Sequence, residues 1–536
     1  MSVQVKDILA VLNNPSLEGS SSVPVIGVSH DSRKILPGWI FVAVPGDTSD
    51  GHDFIGKAVE AGATVVVAQR PRPKEYENVT WIKVSDTRHS VGPIAAVVCD
   101  EPTTKMALIG ITGTNGKTTL TFLLEAIIEA SGGRPGVIGT ISYRWDGKER
   151  AASHTTPEAS DLQFMFRQMA EAGVTHALIE ASSHGLDLGR LDGCHFDVGV
   201  FTNLSQDHLD YHGNLEDYFL AKLILFNKLL SSSRKKSRTA VVNLDDPYGV
   251  RLAGEIRGVP IIGFGSSSEC AVHPSEISLS SEGIQGIVRG SRGALSISSR
   301  LTGSFNLLNI MAAIAVAEEL DIPSEAIQKG IETVDVVPGR LERIPCADAS
   351  IFVDYAHTPD ALKNVLEALR VIRSGRIITV MGCGGDRDKT KRPVMGMEAA
   401  AGSDLVVVTS DNPRTEKPLD IIAQVVDGVR NYGFKPCLPN PNGRRLPSGC
   451  YHVIPDRREA ISWAVKHLEK SDILLVAGKG HETYQEINGI RYPFDDREVV
   501  KEELAKTAAV AEANVQNSME APKRQDFQPG PRRGGA

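Results

Sequence analysis

The sequence predicts an α/β protein of three domains. These are a small N-terminal α/β domain, a central phosphate-loop domain with a mainly parallel sheet, and a C-terminal Rossmann-like α/β domain. Three observations carry the prediction. The chain has 536 residues, more than three times the roughly 150 of an average domain. Short apolar runs alternate with amphipathic stretches in two long blocks, the rhythm of helices laid over parallel strands. A glycine-rich turn in GITGTNGKTTL (110–120) joins one such run to a helical stretch.

In chain order, residues 1–99 form the first block. VPVIGVSHDSR, GWIFVAVPG and TVVVAQ read as strands, with a helix near HDFIGKAVEAG. The second block spans 100–335. MALIGITG is a buried strand, and in the helix that follows Leu120, Leu123, Leu124, Ile127 and Ile128 share one face. Strands THALIEA, DVGVFTN and TAVVNLD continue a doubly wound sheet. The Ser- and Gly-rich segment 265–300 suggests hairpins at the edge of this domain, and FNLLNIMAAIAVAEEL a closing helix. The third block, 336–510, carries strands SIFVDYAH, RIITVMGCGG, DLVVVTS and DILLVAG between helices such as PDALKNVLEALRVI. Segment 433–450 breaks the rhythm and reads as a surface loop. Residues 511–536, ending QPGPRRGGA, have no apolar periodicity and read as a disordered tail.

Composition narrows the function. A hydrophobic content of 41% and a charged content of 23% are those of a soluble globular protein. A net charge of -8 disfavours a nucleic-acid-binding surface. No apolar run approaches the roughly 18 residues of a membrane span, and MSVQVKDILAVLNN lacks the basic and apolar regions of a signal peptide. The seven cysteines, at 99, 194, 270, 346, 383, 437 and 450, form no C-x-x-C pair. Neither a zinc site nor a disulfide framework is expected, and the reading is a reduced cytoplasmic protein.

The turn at 113–119 departs from the common phosphate loop, because Ile111 stands where its first glycine would be. Its chemistry survives. A buried strand leads into Gly113, Thr114, Asn115 and Gly116, and backbone N–H groups at the next helix N-terminus can face phosphate oxygens. Lys117 can neutralise the β- and γ-phosphates, Thr118 can hold Mg²⁺, and Thr119 completes the loop. Downstream, EASSHGL puts Glu180 at a strand end, TNLSQDHLDYHG puts His208 after another, and YFLAKLILF carries Lys222 on an apolar helix. A lone histidine is usually structural and a lone lysine usually reaches solvent. Their order after a phosphate loop points to a site instead.

At these residues the chain resembles the Mur ligases of bacterial cell-wall synthesis, ATP-dependent amide ligases of three α/β domains. The resemblance runs to about residue 510 through DSR (31–33), TTPE (155–158), EASSHGLDLGR (180–190), NLSQDHLDYHG (203–213), AKLILF (221–226), GSFNLLNIMAA (303–313), PGRLER (338–343), VDYAHTPD (353–360), GCGGDRDKTKRP (382–393), DNPR (411–414) and GKGHE (478–482). Within the family the set is similar to the ligase that adds the third peptide residue to UDP-MurNAc-L-Ala-D-Glu.

The resemblance implies roles. Lys117 and Thr118 would serve ATP and a first Mg²⁺, with Glu180 a further metal contact, and His208 would meet a second Mg²⁺. Lys222 matches a lysine carbamylated by CO₂ (N6-carboxylysine), which turns a cation into a hard oxygen ligand. Asn309 is expected at the adenine, Arg340 at the phosphates, Asp354 at the ribose, and His357 nearby. ATP would then lie between the second and third domains, and closure would complete the site. Ser32 and the stretch VPGDTSDGHDF are expected at the uridine diphosphate, and Thr155, Thr156, Ser182 and Arg190 at the muramoyl peptide. Leu188 stands where some relatives carry Gln. The implied reaction is attack of the D-Glu side-chain carboxylate on the γ-phosphate, giving an acyl phosphate that the incoming amine displaces. A monomer without nucleic-acid partners is expected.

DNPR bears on the incoming amino acid. Pro413 stiffens the turn after Asp411 and Asn412 and presents Arg414. A guanidinium can grip, through two parallel hydrogen bonds, the carboxylate that meso-diaminopimelate has and lysine lacks. Arg387 would hold the other end, and Asp411, Gly478 and Glu482 its polar groups. Two rivals remain at this point. Folylpolyglutamate synthetase shares the architecture but would lack DSR and DNPR. A phosphate-loop switch would not need Lys222, His208 and GKGHE.

Overall fold

The computed structural model describes residues 3–46, 49–437 and 446–507. The expected tail, part of the 433–450 loop and Asp47 and Thr48 of the VPGDTSDGHDF stretch lie outside these.

The first sheet has five strands. Gly27–Ser29, Trp39–Val42, Val65–Ala68 and Thr80–Lys83 run parallel, and Ser16–Glu18 pairs antiparallel with the last. Val65, Val66 and Val67 are fully buried, as continuous apolar runs are when a sheet is covered on both faces. The strand Ser16–Glu18 and the helix Val91–Val98 were not legible in the sequence. Both owe their apolar pattern to neighbours distant in the chain.

The central sheet has eight strands. Ala107–Thr112 lies in its middle, parallel to His176–Glu180 on one side and Val198–Phe201 on the other. Thr239–Asn243 and Ile261–Phe264 extend one flank. Pro135–Ile138 extends the other, where Ser142–Trp145 and Lys148–Ala151 add an antiparallel edge. The helix Lys117–Ala130 buries Leu120, Leu123, Leu124, Ile127 and Ile128 completely, the face the sequence predicts. Burial of each contributes about 1.5–3 kcal/mol. The helix Ser304–Glu319 buries every residue from Ile310 to Glu318, as its nearly unbroken apolar run requires. Segment 265–300 holds the expected hairpins, as a three-stranded antiparallel sheet packed on that helix.

The third sheet orders its seven strands with Ser350–Asp354, Ile473–Ala477, Ile377–Met381 and Leu405–Val408 adjacent and parallel in its centre. In both larger sheets the motif residues leave the carboxyl ends of central parallel strands, where ligands of open α/β sheets bind.

One expectation needs correction. Cys437 and Cys450 form a disulfide, with Cα atoms 5.0 Å apart. The short strand Lys435–Pro436 lies beside Cys450–Val453, and this pairing brings together two cysteines whose spacing carries no signature. The other five are free thiols. Among the described residues no helix is long and apolar enough to cross a membrane.

Candidate active site

The phosphate loop is a strained turn held from outside. Gly113 (φ 149°) and Gly116 (φ 88°) both adopt backbone that favours glycine. A Cβ on Gly113 would lie 1.9 Å from Thr202 Oγ1, and one on Gly116 2.5 Å from Asn309 Oδ1. The N–H of Asn115 donates to Asn203 Oδ1 at 2.9 Å, and Thr202 Oγ1 donates to the Asn115 carbonyl at 2.6 Å. The miscounted glycine therefore costs the loop nothing. Ile111 is a fully buried strand residue, and the turn begins only at Gly113.

Lys117 Nζ donates to the Gly113 and Thr114 carbonyls at 2.7 and 2.9 Å. Burial pushes its ammonium below the usual lysine range, so an arriving phosphate would supply the countercharge it lacks. Glu180, 1% exposed, accepts from the Thr118 hydroxyl (3.1 Å), the Thr140 hydroxyl (2.8 Å) and the Thr140 N–H (3.0 Å). Arg340 Nη2 reaches Thr118 Oγ1 at 3.4 Å from the third domain, and its Nε is buried without a partner among the described residues. That unmet donor, 4.8 Å above the Tyr355 ring by its Cζ, suits a phosphate oxygen.

A 540 Å³ cavity joins these groups. It is lined by the loop, Glu180 and Asn309 on one side and by Arg340, Asp354, Tyr355 and His357 on the other. Asn115 Nδ2 spans it to Asp360 Oδ2 at 3.3 Å. Asp354 accepts from the Leu341 and Ala356 N–H groups, and burial pushes its carboxyl up to about 6.

His208 has a left-handed backbone (φ 53°) and packs edge-on to His184, with ring centroids 4.9 Å apart. Burial above all pushes it down to about 4, against the pull of Asp207, so its imidazole is neutral at pH 7. Lys222 is 1% exposed with its Nζ 4.3 Å from the Tyr218 ring centroid. Burial first, then the nearby Lys117 charge, holds it well below the usual lysine range.

Donors suited to a metal are thus present. The Thr118 hydroxyl and the Glu180 carboxylate are hard oxygens side by side, as Mg²⁺ prefers. Among the described residues no three His, Cys, Asp or Glu are grouped to hold a metal unaided. Mg²⁺ would complete its shell with phosphate oxygens and water.

A second cavity of 520 Å³ lies between the first and second domains. Ser32, Pro45, Gly46, Leu188 and Arg190 line it. Ser32 opens a short helical turn capped by Asp31. Arg190 donates to the Thr156 carbonyl at 2.9 Å and pairs with Glu158 at 2.5 Å. Thr156 and Ser182 share a hydrogen bond of 2.9 Å, and Thr155 meets Thr140 at 3.1 Å.

The third group gathers at the strand ends of the last sheet. Arg414 (φ 51°) donates from Nη1 to the Gly385 carbonyl at 2.7 Å. Asn412 Nδ2 donates to Glu482 at 2.8 Å. Gly478, at φ 117°, faces the Asp411 carboxylate. Arg387 stands exposed on the Gly382–Arg387 loop, away from this cluster's contacts. The cluster adjoins the 540 Å³ cavity, since Tyr355 and His481 lie ring to ring at 5.1 Å.

Comparison with known proteins accounts for this arrangement. Three family profiles match in order: "Mur ligase family, catalytic domain" over 24–98, "Mur ligase middle domain" over 111–317, and "Mur ligase, glutamate ligase domain" over 339–480. A UDP-N-acetylmuramoyl-L-alanyl-D-glutamate–2,6-diaminopimelate ligase of Geobacter metallireducens is 44% identical over 93% of this chain and 98% of its own. The chain belongs to the Mur ligase family. A solved structure of a ligase with the same printed name is 33% identical, covers 95% of this Mur ligase and 100% of that chain, and has a TM-score of 0.66. A Mycobacterium tuberculosis folylpolyglutamate synthase bound to ADP and AMPPCP is 20% identical with a TM-score of 0.58, and covers 79% of this chain and 94% of that one. That likeness is one of fold alone.

Several residues of this Mur ligase site escaped sequence reasoning. Thr140 lies in no motif noted in the sequence, and Glu158 closes TTPE without being given a role there. Arg88 and Lys57, which line the 520 Å³ cavity, read as ordinary surface cations. Lys479 lies inside GKGHE and was open to notice.

Proposed function

We propose that this Mur ligase uses ATP to join meso-diaminopimelate to the D-Glu side-chain carboxylate of UDP-MurNAc-L-Ala-D-Glu, a step of peptidoglycan precursor synthesis. One observation carries the reading. The phosphate loop lines a cavity with Arg340 and Tyr355 of the third domain, and Tyr355 meets His481 in the segment whose Glu482 holds Asn412 of the Asp411–Arg414 turn. A nucleotide switch has no use for the second group. The names of the relatives support the same substrates.

The proposed division of labour follows the three blocks, 1–99, 100–335 and 336–510. The 520 Å³ cavity takes the UDP-sugar, with Ser32 at the uridine end and Lys57 and Arg88 as cations for the diphosphate. Thr155, Thr156, Ser182 and Arg190 then direct the peptide toward Glu180 and the phosphate loop. Lys117 and Arg340 offset charge as the D-Glu carboxylate attacks the γ-phosphate. Phosphorylation converts a poor leaving group into a good one. The free amine of the amino acid, whose other polar groups Asp411 and Glu482 bind, attacks the acyl phosphate and loses a proton as phosphate departs. Thr118 and Glu180 would hold Mg²⁺, and His208 and carbamylated Lys222 a second ion, which would supply positive charge for the phosphate oxygens. Carbamylation suits Lys222, because burial favours the neutral amine that reacts with CO₂. Asn309 and Asp354 hold adenine and ribose. Closure of the second and third domains on each other would keep water from the acyl phosphate.

The test is stoichiometric. Phosphate release from ATP should require both UDP-MurNAc-L-Ala-D-Glu and diaminopimelate, and should match tripeptide formation one to one. ATP hydrolysis indifferent to both would sink the reading.

A further inference from the structure

Lys479 is a fully buried cation. Its Nζ lies 3.0 Å from Glu482 Oε2, 3.1 Å from Asn412 Oδ1 and 3.5 Å from Asp411 Oδ1. Two carboxylates thus converge in a buried site. Left alone they would repel each other and splay apart. A further buried cation, Arg457, is paired with Asp496 at 2.7 Å and also feels the charges of Asp411 and Glu482. Asp411 Oδ1 is buried with no hydrogen-bond partner among the described residues, although Asp411 is only 6% exposed. It is an acceptor left over for a ligand.

The same lysine fixes an amide. Asn412 Oδ1 accepts from Lys479 and from the Glu486 N–H at 2.9 Å, which turns Nδ2 toward Glu482. The hairpin Tyr484–Pro493 adds further ties. Gln485 Nε2 donates to the Asp411 carbonyl at 2.6 Å, the Arg414 N–H to the Glu486 carbonyl at 3.0 Å, and the Asn488 N–H to the Arg414 carbonyl at 2.7 Å. The turn that carries Arg414 is therefore stapled along its length to the segment 479–488.

The geometry points to Lys479 as a positioning residue for acceptor recognition. It holds Asp411 and Glu482 in place for the acceptor's ammonium, while the hairpin fixes where Arg414 meets the distal carboxylate. The count of charges supports this. Two carboxylates and one lysine leave one negative charge, which a single ammonium neutralises. The inference rests on the diaminopimelate reading above.

Initial rates of tripeptide formation, with each substrate varied in turn, test it on the full chain. Lys479→Met should raise the diaminopimelate KM at least tenfold and leave the KM for ATP and for UDP-MurNAc-L-Ala-D-Glu within twofold. An unchanged diaminopimelate KM overturns the inference, and so does an equal rise in all three, which marks a merely structural role. If Lys479→Met does not fold, Gln485→Ala decides. It unties the Asp411 carbonyl without touching the buried charges, and should raise the diaminopimelate KM about threefold with ATP unaffected. No change there overturns the inference as well. Failure of the unsubstituted protein to use diaminopimelate would instead refute the proposed function.

Discussion

Arg414→Ala removes the guanidinium on which acceptor choice depends in the proposed reaction. The backbone should survive the change. Residue 414 already holds φ 51° as an arginine, clamped by the Glu486 carbonyl and the Asn488 N–H, and alanine has no greater objection to that conformation. What disappears is a fork already aimed by the bond from Nη1 to the Gly385 carbonyl at 2.7 Å. Breaking one side of a buried, hydrogen-bonded charge pair costs about 2–5 kcal/mol. The Arg414 side chain is 22% exposed, so water recovers part of that and the lower end applies. About 2–3 kcal/mol is roughly a 30- to 150-fold fall in kcat/KM for diaminopimelate. Lysine has no distal carboxylate, so its kcat/KM should stay the same or rise. Arg414→Lys keeps the charge but loses the fork, and should fall between. The assay is tripeptide formation with each amino acid under identical conditions. A ratio of diaminopimelate to lysine that Arg414→Ala leaves intact would refute the assignment.

Lys222→Arg should leave almost no ligase activity, because a guanidinium cannot become an anionic metal ligand; turnover near that of the unsubstituted enzyme would exclude the carbamate. Gly116→Ala places a methyl group 2.5 Å from Asn309 Oδ1 at φ 88° and costs about 1–2 kcal/mol in backbone alone. It should raise the ATP KM about tenfold or more while the diaminopimelate KM holds, as steady-state kinetics would report. Glu416 is the carboxylate partner of the fully buried Arg392, at 2.8 Å, and that hydrogen bond above all pushes its carboxyl down to about 2. The stability it confers is therefore present above about pH 4.5 and lost as pH falls toward 2. Glu416→Gln should destabilise the protein at pH 7, by less than a buried pair would because water screens the carboxylate, and urea unfolding should show the gap to the unsubstituted protein closing across that window; a pH-independent gap would contradict the ion pair.

The sequence by itself determined the parallel strands and the loop between them. Ala107–Thr112 and its helix are legible because burial on both faces demands an unbroken apolar run, and a helix must repeat its apolar face every three to four residues. Glu180, Lys117, Thr118 and Arg414 were legible too, since their chemistry is tied to a strand end or turn a few residues away. Other features belong to the tertiary structure alone. Ser16–Glu18 is a strand only because Thr80–Lys83 pairs with it, and Cys437 bonds Cys450 only because the edge strand Lys435–Pro436 lies beside Cys450–Val453. Thr140 stands on Glu180 across forty residues of sequence, and Lys479 gains its partners only when Asp411 and Asn412 fold over it. Periodicity records what each residue needs from solvent or core, but which distant carboxylate a buried lysine will face depends on how the strands are ordered in the sheet.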